Sequence, residues 1–291
     1  MSSNDEKKKI SFSIPVPKIP KFNFNLSGLF EIRKPISTGL SVVLGIVPII
    51  IIFLIWGAMT SGSPEERMLS PLILPSPKEV LLSIHSLWFK AELTRSIIAS
   101  AKRVIGGFIV AVIICFPLGV IAGSFPTIRS TINPLVVFGA YLPIPALVPL
   151  TMSFFGIGET QKIMFLALAF IVFLLPMIIQ ALDNVDSVYI QTAETLGASK
   201  IQIIWKVLVG VAGFDIYNAM RVCFGIGWSY IILAEIVAAD RGLGNIIIIA
   251  QRIGPREHIY LVIVVIVILA FITDLIWVNL GKKFFPHKAK V

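Results

Sequence analysis

Four stretches of this sequence carry no charged side chain over lengths that let a helix cross a bilayer: Pro35 to Pro64, Val104 to Ile128, Ser130 to Gly158 and Ile163 to Leu182. A crossing helix needs about 20 predominantly apolar residues. Two further apolar stretches are interrupted. Val211 to Ala239 contains Asp215, Arg221 and Glu235, and Ile259 to Leu280 contains Asp274. In hydrocarbon every backbone N–H and C=O must be satisfied within the protein, so long apolar segments of this kind become helices. The expected fold is therefore all-α, a polytopic membrane protein with about six transmembrane helices. The rest of the composition agrees. Charged residues make up 14% of the 291 and mean hydropathy is +0.91, whereas soluble domains carry about 25% charge. The lipid bilayer is the main solvent.

Net charge is +9. In a membrane protein positive residues collect on the cytoplasmic side. Dense clusters stand at both ends, with Lys7, Lys8 and Lys9 at one and Lys282, Lys283, Lys288 and Lys290 at the other. With an even number of spans, this places both termini in the cytoplasm. Residues 1–39 read as a cytoplasmic N-terminal tail, poorly ordered or lying on the membrane surface. Residues 40–281 read as the transmembrane domain, and 282–291 as a basic cytoplasmic tail. A Pro-, Phe- and Asn-rich segment, Ile10 to Phe30, separates the first lysines from the first apolar stretch. A cleavable signal has its basic region directly before its apolar one, so none is expected here.

Several function classes are disfavoured. No basic patch is interleaved with aromatics, so nucleic acid is not an expected partner. The two cysteines, Cys115 and Cys223, lie in apolar runs and read as small packing residues; a disulfide has no framework spacing to support it. His85, His258 and His287 are far apart, and no cluster has metal-ligand spacing. There is no Gly-rich phosphate-binding loop followed by Lys and Ser or Thr, and no nucleophile or acid–base constellation. The chain is therefore not expected to be an enzyme or to bind a cofactor.

The segment Asp183 to Gly210 is too polar to insert and too long for a simple turn. It reads as helix, break, helix. Asp183 or Asp186 can cap the first helix. Gly197 can break it by taking positive φ. Ser199 with Gln202 forms a capping box for the second, whose apolar stripe is Ile201, Ile204, Trp205 and Leu208. Such a helical pair is either a docking surface or a helix resting on the bilayer. Outside, Leu74-Pro75-Ser76-Pro77 starts a helix, with Ser76 as N-cap, Pro77 at the first position and Glu79 in the first turn, directed toward the second span.

Within the spans, Pro134, Pro143, Pro145 and Pro149 interrupt the third. Broken backbone at membrane depth is tolerated where it is buried in protein or lines a wet cavity. Pro143, Pro145 and Pro149 are thus expected to border a translocation path, or else to kink a packing helix. Gly119 and Gly123 permit close approach of an unspecified helix. Arg221 and Asp274 lie at similar depths from one membrane face. They are expected to form a structural ion pair, and the alternative is that Arg221 faces the path and attracts an anion.

Gln191-Thr192-Ala193-Glu194-Thr195-Leu196-Gly197-Ala198-Ser199 resembles the EAA loop of bacterial ABC-transporter permeases. That motif reads Glu-Ala-Ala, three residues, Gly, nine residues, then Ile-x-Leu-Pro. Ala193 and Gly197 match and Val207 stands for Ile; Gln191, Thr192, Val209 and Gly210 depart from Glu, Ala, Leu and Pro. Pro143 to Leu150, Phe155-Gly156-Ile157-Gly158-Glu159, Arg103 to Phe108, Ala234-Glu235 and Gly242-Leu243-Gly244 resemble the permeases for nitrate, sulfonates, taurine and bicarbonate. The resemblance runs from about Leu40 to Leu280. It implies an importer in the bacterial inner (plasma) membrane. The coupling loop would dock a separate ATPase subunit, which uses ATP and Mg. An extracytoplasmic substrate-binding protein would deliver a small solute such as an anion, and a second permease copy would complete the pore. The alternative is a secondary transporter driven by an ion gradient.

Overall fold

The computed structural model describes residues 36–63, 65, 67–237 and 240–286. The expected N-terminal tail up to residue 35, and the last basic residues from 287 on, lie outside them. The chain divides into two units, Met1–Met68 and Leu69–Val291.

In the first unit, α1 spans Thr38–Met59. At 22 residues it is about 33 Å long, enough to cross the hydrocarbon core. The Ser37 hydroxyl caps its start by accepting from the Leu40 N–H at 3.4 Å. Its end is closed by Thr60, whose hydroxyl donates to the Trp56 carbonyl at 2.8 Å.

The second unit opens with two short helices, α2 (Pro77–Leu82) and α3 (Ile84–Phe89). Ser76 and Glu79 form a reciprocal capping box at the start of α2. The helical course does lead toward the second span, but in two short pieces. Helix α2 stops after six residues, α3 follows from Ile84, and Glu92 then takes a left-handed φ of 49°, a conformation a helix cannot contain. The span begins directly after it: α4 is Leu93–Ser124. That start is eleven residues before Val104 and brings Arg95, Lys102 and Arg103 into the helix.

The remaining helices are α5 (Pro126–Ala140), α6 (Leu147–Phe155, preceded by a 3-10 turn at Ile144–Ala146), α7 (Glu159–Asp183), α8 (Ser187–Thr195), α9 (Lys200–Ile236), α10 (Leu243–Ile253) and α11 (Glu257–Phe284). Among the described residues, five helices are long and apolar enough to cross a membrane, and α5 with α6 forms a sixth if the bent pair counts as one span. The third span is thus broken by 93° at Tyr141–Pro143, a sharper change than the kink its prolines suggest.

The packing shows which way each helix runs. Along α4, a Cβ on Gly107 would lie 2.7 Å from Leu166 Cβ, one on Gly119 2.6 Å from Ile178 Cγ2, and one on Gly123 2.6 Å from Leu182 Cδ1. The partner of the Gly119/Gly123 pair is therefore α7. Both numberings rise together, so α4 and α7 are parallel, and the bent pair between them must carry the chain back across. Missing side chains let the two backbones approach, the device membrane helices use in place of hydrophobic drive. Helix α9 runs antiparallel to α4, with Arg103 against Glu235 and Gly227 against Phe170 and Val104. Helix α11 returns antiparallel to α9, with Trp228 on Thr273 at 3.1 Å and Tyr217 on the Trp277 carbonyl at 2.6 Å. Phe165, Phe170, Leu174 and Ile178 of α7 are fully buried at the centre. Phe108 joins Phe170, Phe224 and Trp277 edge-on, with centroids 5.1 to 5.8 Å apart. Cys115 and Cys223 are buried free thiols in this core. On α11, Val267, Ile268 and Phe271 point outward, as lipid-facing residues do.

Two ends of this unit result. One gathers the end of α7, the α8 loop, the start of α9 and the end of α11, whose last turn carries Lys282 and Lys283. The other gathers α2, α3, the starts of α4, α7 and α11, the end of α9, and α10.

Candidate functional site

The loop between α7 and α9 is built by local hydrogen bonds. The Asp186 carboxylate accepts from the Val188 N–H at 3.0 Å and starts α8; Asp183 instead ends α7 and pairs with Arg129 at 2.5 Å. At the far end of α8, the Ala198 N–H donates to the Ala193 carbonyl at 3.0 Å and the Gly197 N–H to the Glu194 carbonyl at 2.9 Å. This is a Schellman termination. It needs a left-handed residue, and Gly197 supplies it at φ 77°. Ser199 then opens α9: its N–H donates to the Gln202 side-chain oxygen at 2.8 Å, and its hydroxyl accepts from the Gln202 N–H at 3.4 Å. Gln191, Thr192, Glu194, Gly197 and Ser199 are all exposed; Ala193 and Ala198 are half-buried.

Two readings of this loop change. The second helix is not a separate piece ending near Gly210. It is the first part of α9, which runs unbroken for 37 residues, about 55 Å, so that it projects well beyond a hydrocarbon core of about 30 Å. Its packed face differs in part from the 3.6-residue stripe. Leu208 is buried as the stripe expects, but Ile203–Leu208 is π-helical, and Ile203, one wide turn before Leu208, is the residue buried with it. Ile201 and Trp205 are left exposed. With Val188, Tyr189 and Leu196, the last 82% exposed, they make an apolar surface around the Gly197 corner. Patches of this kind on a folded protein mark interaction sites.

Arg221 of α9 and Asp274 of α11 are brought together in a two-point pair, Nε to Oδ1 at 2.6 Å and Nη2 to Oδ2 at 2.8 Å. Their side chains are 32% and 41% exposed. Pro143, Pro145 and Pro149 sit on the exposed side of the α5–α6 corner. The Arg221→Asp/Asp274→Arg double variant is expected to recover most of the thermal stability that either single reversal loses. Measured in nanodiscs, a double variant no better than the singles would dissociate the pair from stability.

At the opposite end lies a buried ion cluster that sequence reasoning missed. Glu235 is fully buried, with its side chain 0% exposed. One oxygen accepts from the Ser100 hydroxyl at 2.7 Å and from Arg103 Nη1 at 2.6 Å; the other accepts from the Gly244 N–H at 2.8 Å. Arg103, 4% exposed, also donates to the Arg241 carbonyl at 2.7 Å and makes a two-point pair with Glu159 at 2.6 and 2.5 Å. The Leu243 N–H donates to the Ser100 hydroxyl at 3.0 Å. Gly242, at φ 139°, lets the chain turn against the carboxylate, where any Cβ would run into Glu235. The cluster thus joins α4, α7, α9 and the start of α10. Its members come from four of the segments that carried the family resemblance. The signal available was that resemblance, together with the small residues Ser96 and Ser100, which continue upstream of Val104 the packed face marked by Gly107, Ala111, Cys115 and Gly119.

The family described as binding-protein-dependent transport system inner membrane component matches residues 115–285. The taurine transport system permease protein of Escherichia coli is 31% identical over 266 residues, covering 89% of this chain and 94% of that one. The bicarbonate transport system permease protein of Synechococcus elongatus is 27% identical, covering 85% of this chain and 90% of that one. Among solved structures, an inward-facing form of the MetNI methionine ABC transporter aligns with a TM-score of 0.61 at 22% identity, covering 69% of this chain and 98% of that one; the likeness is one of fold. An apolar helical bundle with a capped, exposed loop is what such a subunit requires, and the chain belongs to the family of membrane-spanning permease components of binding-protein-dependent ABC importers.

Proposed function

We propose that this permease imports a small sulfonate of the taurine type, working as a pair of identical copies. The observation that carries the substrate class is the 31% identity to the taurine permease across nearly the whole of both chains. Permeases for aliphatic sulfonates in Bacillus subtilis and Escherichia coli are also similar, at 24% and 26% identity. Membership of the importer family brings an ATPase and a binding protein as partners. In this reading the α8 loop, with both termini, is cytoplasmic. The positive residues Arg129, Lys200, Lys206, Lys282 and Lys283 at that end support the orientation.

The ATPase docks on the corner formed by Ala193, Glu194, Gly197, Ala198 and Ser199, flanked by Gln191 and Thr192. Motion of that corner is carried directly into the membrane, because α9 is one continuous helix from Lys200 to Ile236. Rigid-body tilting then alternates access between the two sides. Pro143, Pro145 and Pro149 border the path at the α5–α6 corner. Arg221 is structural, held by Asp274.

The test is uptake into proteoliposomes that hold the permease and its ATPase, with the binding protein outside and ATP inside. Taurine accumulation that needs ATP, with little bicarbonate or nitrate uptake, is expected. Uptake driven by an ion gradient without ATP would instead identify a secondary transporter, and ATP-driven bicarbonate uptake would replace the sulfonate reading.

A further inference from the structure

We propose that the outer edge of the Arg103 guanidinium is a binding site for the anionic head group of the transported solute, and that Glu159 is its displaceable occupant. The inference rests on the sulfonate-import reading above and assigns that solute a place on this chain.

The two sides of Arg103 are unequal. Nη1 is committed inward, to buried Glu235 and to the Arg241 carbonyl. Nε and Nη2 face Glu159, whose side chain is 61% exposed. That fork binds a carboxylate or a tetrahedral oxyanion through two parallel hydrogen bonds. A sulfonate offers three equivalent pairs of oxygens about its C–S bond.

A cavity of about 660 Å³ opens beside this ion pair, lined by Arg95, Ile98, Ala99, Lys102, Asp240 and Arg241 as well as the pair itself. Its size lies within the about 300–1,000 Å³ typical of small-molecule sites. Among the described residues, Arg95 and Arg241 both pair with Glu92, at 2.6 and 3.6 Å, and Asp240 is the other carboxylate beside Glu159 in the lining, against the cations Arg95, Lys102, Arg103 and Arg241. Lys102 has no ionic partner among the described residues. Charge of this sign in a cleft raises the local concentration of anions.

The displaced carboxylate has somewhere to go. Lys162 Nζ, on the buried side of α7 at 3% exposure, is already 3.2 Å from Glu159 Oε1. Exchange therefore leaves no buried charge unpaired: Arg103 keeps Glu235 and gains the solute, and Glu159 keeps Lys162. What is lost is the ionic tie between α4 and the first residue of α7. Arrival of the anion thereby loosens the outer end of the bundle.

The experiment uses the full chain in complex with its ATPase in nanodiscs, with ethanesulfonate as the probe and neutral ethanesulfonamide as its control. Ethanesulfonate should stimulate ATP hydrolysis saturably, and the amide should not. Glu159→Gln should raise the anion-free rate about tenfold, the shift that loss of ~1.4 kcal/mol from the tied state gives, and should abolish the response to ethanesulfonate. Glu159→Asp, which keeps the charge, should restore a low rate in part. A Glu159→Gln complex with the parent's basal rate and the parent's anion response would overturn the site. If Glu159→Gln raises the rate but bicarbonate stimulates the parent in place of ethanesulfonate, the site stands and the sulfonate reading falls.

Discussion

Arg103→Ala is expected to lower the unfolding midpoint of the purified permease by about 10 °C and to deplete it from the membrane. The substitution removes the only cation that touches Glu235 among the described residues, and leaves that carboxylate with Ser100 and Gly244 as its donors. Breaking a buried ion pair from one side costs about 3–5 kcal/mol, and each 1 kcal/mol lowers the midpoint of a chain this size by about 2–4 °C. Arg103→Lys should fall between, because an ammonium is a single point of charge and cannot span Glu159, Glu235 and the Arg241 carbonyl with one planar fork. Replacing both Arg103 and Glu235 by methionine should cost less than Arg103→Ala alone, since a well-packed apolar pair spares the desolvation of two ions. Thermal unfolding in nanodiscs distinguishes these cases. A midpoint for Arg103→Ala within 2 °C of the parent would mean that Glu235 is reached by water or protonated, and that the cluster does not hold these helix ends together.

The way the spans were legible, and the way the cluster was not, have one physical origin. Apolar length is a local property, so the hydropathy of α4, α7 and α11 stands in the sequence without reference to anything else. The caps are local as well. Asp186, Gly197 and Ser199 each act within about five residues, and their roles follow from side-chain reach and allowed φ. Arg103 and Glu235 are 132 positions apart. Beside Lys102, and just ahead of an apolar run, Arg103 reads as the end of a loop, and only the fold shows it buried. The same applies to the parallel course of α4 and α7. It follows from which glycines meet which side chains, and it is what requires the bent α5–α6 pair to cross back. The π-helical turn at Ile203–Leu208 escaped notice because a stripe counted at 3.6 residues assumes the regular helix it was meant to detect. Gly210, where the related loops carry proline, proves to be mid-helix, so its departure from the motif leaves α9 continuous.

Gly197→Arg should abolish transport while leaving insertion and folding intact. Two effects combine at this corner and can be separated. The backbone is left-handed at φ 77°, which costs a residue with a Cβ about 1–2 kcal/mol, too little to unfold a bundle held by α4, α7 and α9. Within the chain there is room, since a Cβ at Gly197 meets nothing within 4 Å. The long cationic side chain would instead project from the apolar corner made by Tyr189, Leu196 and Ile201, where the ATPase is proposed to dock, and a desolvated, unpaired charge in such an interface is strongly disfavoured. Uptake should fall by at least about tenfold, the factor given by 1.4 kcal/mol, and the ATPase should no longer copurify in mild detergent. Gly197→Asn supplies the control. Asparagine tolerates the left-handed conformation better than other residues with a Cβ and adds no charge, so its uptake should stay close to that of the parent. If Gly197→Arg retains the ATPase and transports normally, the corner is not the docking surface. If Gly197→Asn fails as badly as Gly197→Arg, the backbone turn itself is what transport cannot spare.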